Sequence, residues 1–490
     1  MAGTPPSSIF NVPELVGLVA QYLSRHDITQ CMATCKAWTP FFELYIWRDI
    51  ELRWNYPAPQ SLARNRHRIR SLRIASFDYP NLQALAADLP NTPFSEPSQE
   101  SHSTSSSTAT GNNIFQNLRI IRIDYGFGDI VSDRKSLCLD YVLRILNQSP
   151  SLLHLHAPYN ILGDSFTSNQ TESFLHALAH KLPCIKELHI QGNNVLPKIG
   201  LEFLRVCLNH PLLANLHCDF MMEGSCGSHQ YFSTENFLLF NSFSTTIEDD
   251  KKAKEATGKS ALGSPIKSLR LPGITEGYPP NFVCTLLRSY LPNLELFYIP
   301  VVDVDGNLSP VESLRDAVAQ GCPKLQHLRC SWYYARSEDY DVINSIVKGC
   351  KQWGLKSFYC EDLDGQYRTL RTLNEDHCET LEDVELANYR AVKSEDLVDL
   401  LSCRNLKRVK LQLKDNGDAA IELQDVKFKC RDLKELQLRI AQPKMDYELD
   451  DFSEEEEENE DLLPGKRLER FGRWMERKAE EAYTQIGSLS

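Results

Sequence analysis

The sequence predicts an α/β protein: a small N-terminal helical module followed by a curved repeat solenoid with a parallel sheet on its inner face. Three observations predict it. A short pattern, apolar-x-x-apolar-x-apolar, returns along the chain; helical segments separate its copies; and the residues ahead of the first copy place apolar groups at helical spacing.

The N-terminal module comes first. Over Val12 to Trp47 the spacing predicts about three short helices. Pro13 suits a first helical turn, where its missing N–H is no loss. Leu15, Leu18, Val19, Tyr22 and Leu23 recur at three- and four-residue steps and share one helical face. Asp27 stands where an N-cap belongs, ahead of Ile28, Cys31 and Met32. A module this small does not bury all those apolar groups by itself, so part of that surface is expected to be kept for a partner.

The repeats follow. The triplets are Ile69-Leu72-Ile74, Leu118-Ile121-Ile123, Leu152-Leu155-Ala157, Ile185-Leu188-Ile190, Leu213-Leu216-Cys218 and Ile266-Leu269-Leu271, and then Leu294-Phe297-Ile299 and Leu325-Leu328-Cys330. Leu355-Phe358-Cys360, Leu381-Val384-Leu386, Leu406-Val409-Leu411 and Leu433-Leu436-Leu438 complete the series. From Ile266 onward the steps are about 28, 31, 30, 26, 25 and 27 residues, close to the ~20–29 of a strand-plus-helix repeat. Helical segments are expected between strands, as over 311–319 and 394–401. A Cys three residues before the strand's leading Leu recurs at Cys322, Cys378, Cys403 and Cys430, with Ser149, Leu291 and His210 as variants. Before about residue 290 the repeats are longer and less regular.

Between and after the repeats lie segments of another character. Residues 91–113, rich in Ser and Thr, and 245–265 predict flexible insertions where the repeat step is long. Asp446 to Asp461 is a dense acidic run without Lys or Arg, and it accounts for much of the net charge of −13. Leu468, Phe471, Trp474 and Met475 then fall on one helical face. A solvated tail or a helix packed on the last repeat is expected there; a latch over the inner sheet is the alternative. Arg64, Arg66, Arg68, Arg70 and Arg73 make a basic patch, but an acidic chain without a nucleic-acid motif argues against nucleic acid as partner. No apolar stretch is long enough to span a membrane, and the first residues lack the pattern of a signal peptide. The fifteen cysteines, at regular positions before and within strands, read as small buried apolar groups of a reducing compartment, cytosol or nucleus. They include no Cys-x-x-Cys pair, Cys226 and His229 are near neighbours without a second pair of ligands, and no nucleophile–base pair or phosphate loop is visible. No metal, cofactor or catalytic activity is expected in the chain itself.

Within a repeat strand the residues between the apolar positions face outward. Candidate substrate contacts are therefore His327, Arg329, Trp332, Tyr333, Tyr359, Glu385, Arg408 and Lys410. The facing charges change sign along the series, acidic at Glu382, Asp383 and Glu385 and basic at Lys407, Arg408 and Lys410, which predicts a partner with complementary alternation. Trp332-Tyr333-Tyr334 is the candidate anchor, since Trp and Tyr are enriched in interface hot spots. Filling the turn between strand and helix is the other reading of that trio.

The N-terminal module resembles the F-box. The matching positions are Pro13, Glu14, Leu15, Val19, Tyr22, Leu23, Asp27, Ile28, Cys31, Cys35, Lys36, Trp38 and Trp47; Val12 departs conservatively from the family's more frequent Leu. The later segments resemble the cysteine-containing leucine-rich repeats often joined to an F-box, although the Asn that follows the strand in their general consensus is clear only at Asn193. The resemblance divides the chain into a terminus at 1–8, the F-box at 9–52, a linker at 53–68, leucine-rich repeats at 69–440 and the acidic tail with its helix at 441–490. It implies docking on the Skp adaptor of a cullin–RING ubiquitin ligase through Pro13, Glu14, Leu15, Val19, Tyr22, Leu23, Ile28, Cys31, Trp38 and Trp47. It further implies that the repeats hold a target protein for ubiquitination. A repeat scaffold with no ligase role is the alternative.

Overall fold

The computed structural model describes residues 13–441, apart from 54–56, 76–78, 90–114, 125–131, 158–167, 223–237, 241, 247–248, 250–251, 253–262, 275–279, 302–310, 333–339, 353, 362–366, 390–402 and 415–432. The insertion expected at 91–113, the helix expected at 394–401, Cys430 and the acidic tail lie outside the described residues, and the 245–265 insertion is described only in part.

Three helices, α1 (Pro13–Tyr22), α2 (Arg25–Thr34) and α3 (Thr39–Arg48), open the described chain. They close on a small core of Val16, Ala20, Ile28 and Phe42. The N-cap of α2 is Ser24 rather than Asp27. Asp27 is the other half of a capping box: its N–H donates to Ser24 Oγ at 3.2 Å, and the Ser24 N–H donates to its carboxylate at 3.0 Å. The Ser24 hydroxyl, donating to the Asp27 carboxylate at 2.6 Å, and then the Ser24 N–H hold that carboxyl below the ordinary range.

The rest is an α/β repeat solenoid. Its strands are β1 (Asp49–Leu52), β2 (Ser71–Ile74), β3 (Ile120–Ile123), β4 (His154–Ala157), β5 (Glu187–Val195), β6 (Asn215–Met222) and β7 (Ser268–Arg270). They continue as β8 (Gly273–Ile274), β9 (Leu296–Val301), β10 (His327–Trp332), β11 (Ser357–Glu361), β12 (Asp383–Tyr389), β13 (Arg408–Lys414) and β14 (Glu435–Ala441). All belong to one parallel sheet that follows chain order, with β8 off the main path as a second partner of β6. Pro272 has no N–H to give a ladder, and the strand breaks there into β7 and β8.

The register aligns the triplets. Leu72, Ile121, Leu155, Leu188, Leu216, Leu269, Phe297, Leu328, Phe358, Val384 and Val409 form one unbroken buried column. Every triplet of the sequence thus meets a strand. Alternate residues point into a single continuous core, where each buried Leu or Phe contributes roughly 1.5–3 kcal/mol. Against that core lie helices α4 (Pro59–Asn65), α5 (Tyr79–Ala86), α6 (Ser132–Asn147), α7 (Ser168–His176), α8 (Pro197–Leu208), α9 (Pro280–Tyr290), α10 (Val311–Gly321), α11 (Tyr340–Gly349) and α12 (Tyr367–His377). The expected helix at 311–319 is α10. Neighbouring helices approach closely: a Cβ on Gly321 would stand 2.0 Å from the Leu287 carbonyl of α9.

The sheet begins earlier than residue 69. Trp47, Ile50 and Leu52 already repeat the triplet spacing, β1 pairs with β2, and α4 occupies part of the segment expected as a linker. The module therefore joins the sheet without a spacer, α3 leading directly into β1, and Arg68 pairs with Glu43 at 2.8 Å across the joint. Part of the long step after β6 is ordered too. Helical residues there set Phe240 and Phe243 against Phe282 of α9, ring centres 4.9 and 5.5 Å apart.

One pre-strand cysteine reaches back to the preceding helix, whereas Cys403 Sγ meets Asn374 Oδ1 at 3.8 Å. Cys322 Sγ lies 3.8 Å from the Leu287 carbonyl near the end of α9. At the equivalent place His210 Nε2 lies 3.0 Å from the Leu182 carbonyl, and His377 Nε2 3.2 Å from that of Val347 in α11. Facing a carbonyl, each of these groups is a donor to an oxygen near the end of the previous repeat's helix; the Leu182 and Val347 oxygens also accept from the Ile185 and Cys350 N–H groups. In one repeat the sequence pattern selects Cys378, but the buried donor is its neighbour His377. Burial pushes the Cys322 and Cys350 thiols up to about 12, so they stay protonated.

Candidate functional site

Two surfaces stand out, one apolar and one polar. The apolar one is the outer face of α1. Leu15, Leu18, Val19 and Tyr22 are 40%, 53%, 40% and 88% exposed, while the alternate positions Val16 and Ala20 face the module's core. Of the five residues expected to share a face, these four point to solvent, whereas Leu23 is turned against the module's core. Leu44 of α3 is exposed as well. Isolated apolar side chains on a surface are ordinary; four along one helix make this face a candidate interaction surface.

The other candidate adaptor contacts separate into groups. Glu14 is exposed beside this face. Leu23, Cys31 and Trp38 are half-buried against the module's core. Ile28 is 4% exposed and belongs to that core, because α2 turns it inward onto Phe42 and Val16. Trp47 packs against the core of the sheet, as the leading apolar position of the first repeat. Ile28 is thus buried, whereas Trp47 is only partly buried. Pro13 opens α1, and its side chain is outside the described residues.

The polar surface is the sheet face turned away from the core. Its charges at the C-terminal end neutralise one another. Arg408 makes a two-pronged pair with Asp383, 2.7 Å in each arm, Lys407 reaches Glu382 at 2.7 Å, and Lys410 stands 3.9 Å from Glu435. The pairing holds the Asp383 carboxyl down and the Arg408 guanidinium up. The alternation of sign expected to register a partner is thus consumed between adjacent strands, because the sheet register sets opposite charges side by side.

Upstream the outward column reads Arg73, Arg122, His156, His189, His217, Arg270, Tyr298, Arg329, Tyr359, Glu385 and Lys410 in consecutive register. Arg270 lies 4.2 Å over the Tyr298 ring, and Arg329 lies 4.5 Å over Tyr359 and 5.7 Å from Tyr298. The register therefore brings the candidates Arg329 and Tyr359 together through cation–π contacts. His327 sits one column away, its Nδ1 2.7 Å from Ser357 Oγ. Trp332 ends β10 with its side chain outside the described residues, and Tyr333 and Tyr334 lie outside them entirely.

The histidines escaped the sequence reading. His156, His189 and His217 stack on adjacent strands, ring centres 4.2 and 5.7 Å apart. Burial and the neighbouring rings push His189 down to about 4, and burial likewise lowers His156 and His217. A signal was available: each His follows the central Leu of its triplet, as Leu155-His156, Leu188-His189 and Leu216-His217, the place that Arg329 and Tyr359 take in later repeats.

Among the described residues no group of three or more His, Cys, Asp or Glu is arranged to hold a metal ion, and no helix is long and apolar enough to cross a membrane. No family model matches the chain, and no curated protein does. Among solved structures it is similar to a chain in the crystal structure of the Rad7 and Elc1 complex in yeast, at 12% identity over 88% of each chain and a TM-score of 0.39. At that score neither fold nor function is transferred.

Proposed function

We propose that the chain is a substrate-recognition subunit of an SCF-type ubiquitin ligase, whose F-box-like module docks the Skp adaptor while the repeats hold a target protein on the open face of the sheet. The observation that carries this reading is the outer face of α1, with Leu15, Leu18, Val19 and Tyr22 turned to solvent on a module joined to the sheet without a spacer. An amphipathic helix with its apolar stripe outward suits burial in a partner's groove. A short joint holds the bound target at a set distance from the adaptor, and catalysis by such a subunit is the raised local concentration of a target lysine. The chain itself is a non-catalytic receptor that works in the cytosol or nucleus.

The test is co-purification of the full chain with the Skp adaptor and cullin. Wild type retains both. A Leu15→Ala/Tyr22→Ala double variant loses both with an unchanged melting profile, because these side chains lie outside the core. Wild type without adaptor would leave the chain a repeat scaffold with no ligase role.

A further inference from the structure

The outward column from Arg122 to Arg329 differs from the rest of the open face in what stands opposite its charges. Arg122 shares Asp124 with Arg73, and Arg270 holds Asp219 at 2.7 Å. Asp219 also accepts from Gln191 at 3.1 Å, and Glu187 is engaged by His154 at 3.0 Å. Arg329 is exposed and has no ion pair among the described residues, its guanidinium held instead over Tyr359. Between the arginines stand three uncharged rings, and Nε2 of His189 is sealed off with no hydrogen-bond partner among the described residues.

The surroundings of each ring are as follows. His156 faces Arg122 and Asp124 of the β3 side and Glu187 and His189 of β5. His189 faces His156, His217, Asp219 and Arg270. His217 faces Glu187, Asp219, Arg270 and Arg329, and its Nε2 is 3.2 Å from Ser268 Oγ. Cations on this stripe oppose protonation of the rings, and the few carboxylates are already shared. An added anion reverses that balance: it favours the protonated rings, so the anion and protons bind together.

We infer that this stripe is a proton-coupled docking site for an extended, Asp- and Glu-rich segment of a partner protein. The inference rests on the reading of the open face as the target-binding surface and names the chemistry of the target. Carboxylates already pair with His154 and Arg270 on this face, so the complementary group is one the surface accepts. The six strand steps from β3 to β10, at about 4.8 Å each, span roughly 29 Å, the reach of about nine extended residues. Beyond β11 Arg408 is paired with Asp383 and Lys407 with Glu382, and the footprint is drawn to end there.

Fluorescence anisotropy of a labelled decapeptide of alternating Asp and Glu, titrated with the full chain at pH 5.5, 6.5 and 7.5, tests this. The peptide stays charged across that window, so the slope reports the protein. About tenfold tighter binding at pH 5.5 than at 7.5 is expected. His156→Asn/His189→Asn/His217→Asn should flatten the slope while circular dichroism and melting at pH 7.5 stay as in wild type. Arg329→Gln should weaken binding at every pH and keep the slope. Absent binding, a slope that survives the triple change, or equal binding of an oligothymidylate or of a neutral Asn/Gln decapeptide would each overturn the inference. If the triple variant does not fold, the single change His189→Asn must reduce the slope, or the inference fails. Adaptor capture is scored separately on the same preparations. Loss of peptide binding with adaptor retained sinks this inference alone, and loss of adaptor with peptide retained sinks the ligase reading.

Discussion

The helical module and the solenoid handle apolar side chains in opposite ways. The solenoid turns most of its triplets inward, with Leu436 of the last strand partly exposed, and its outward column from Arg73 to Lys410 is charged, aromatic or histidine. Among its described residues the module buries Val16, Ala20, Ile28 and Phe42 and leaves Leu15, Leu18, Val19 and Tyr22 in solvent. A core of that size is marginal alone, whereas repeats add stability by stacking on neighbours. The difference teaches what each region presents to solvent: apolar side chains on α1 of the module, mostly polar, charged and aromatic ones on the sheet face.

The largest expected effect breaks the weaker side. Phe42→Ala empties the centre of the module's core and should cost about 3–5 kcal/mol, enough to unfold the module locally. Hydrogen exchange should then show lost protection over α1 to α3 and retained protection in β2 to β14. Simultaneous unfolding of both regions would mean that they form one cooperative unit.

A second effect sharpens the contrast in how helices meet. Gly321 meets the backbone of α9, with the Leu287 carbonyl 2.0 Å and the Arg288 Cα 2.6 Å from an added Cβ. Gly17 of α1 meets only the hydroxyl tip of Tyr45, at 2.7 Å. Gly321→Ala should destabilise the solenoid by about 1–3 kcal/mol in a denaturant titration, because backbone has nowhere to go. Gly17→Ala should cost well below that, since the Tyr45 side chain can swing aside.

The smallest effect is a pH dependence confined to the sheet. In the folded chain His189 titrates near 4, below its ordinary 6.5. The unfolded chain therefore binds the proton first, and this contribution to stability, complete above about pH 6.5, is lost as pH falls toward 4. His189→Asn should lose less stability than wild type across that window in thermal melts at stepped pH. Equal slopes would show that the stacked rings do not control it.

Much of this contrast was legible in the sequence, and the failures have physical causes. The triplets located their strands because a strand with one face on the core must alternate. β1 was missed because its leading apolar position is Trp47, a residue that also fits the helical pattern before it. Asp27 was mistaken for a cap because a capping box places acceptors at both ends, and the Ser three residues earlier was passed over. Ile28 was assigned to docking by the resemblance to the F-box, and the fold places it in the module's own core. Arg408 and Lys410 read as free charges because their neutralisation depends on which strands lie side by side. The histidine stack depends on the same register, and it emerges only when residues far apart in the chain are aligned by repeat.

The central claim is that the outer face of α1 docks an adaptor while the sheet face stays open. Hydrogen exchange on the full chain, with and without the Skp adaptor, tests it most directly. The account predicts new protection over the module, centred on α1, with β9 to β14 unchanged. Protection on the sheet strands instead, or none anywhere, would contradict it.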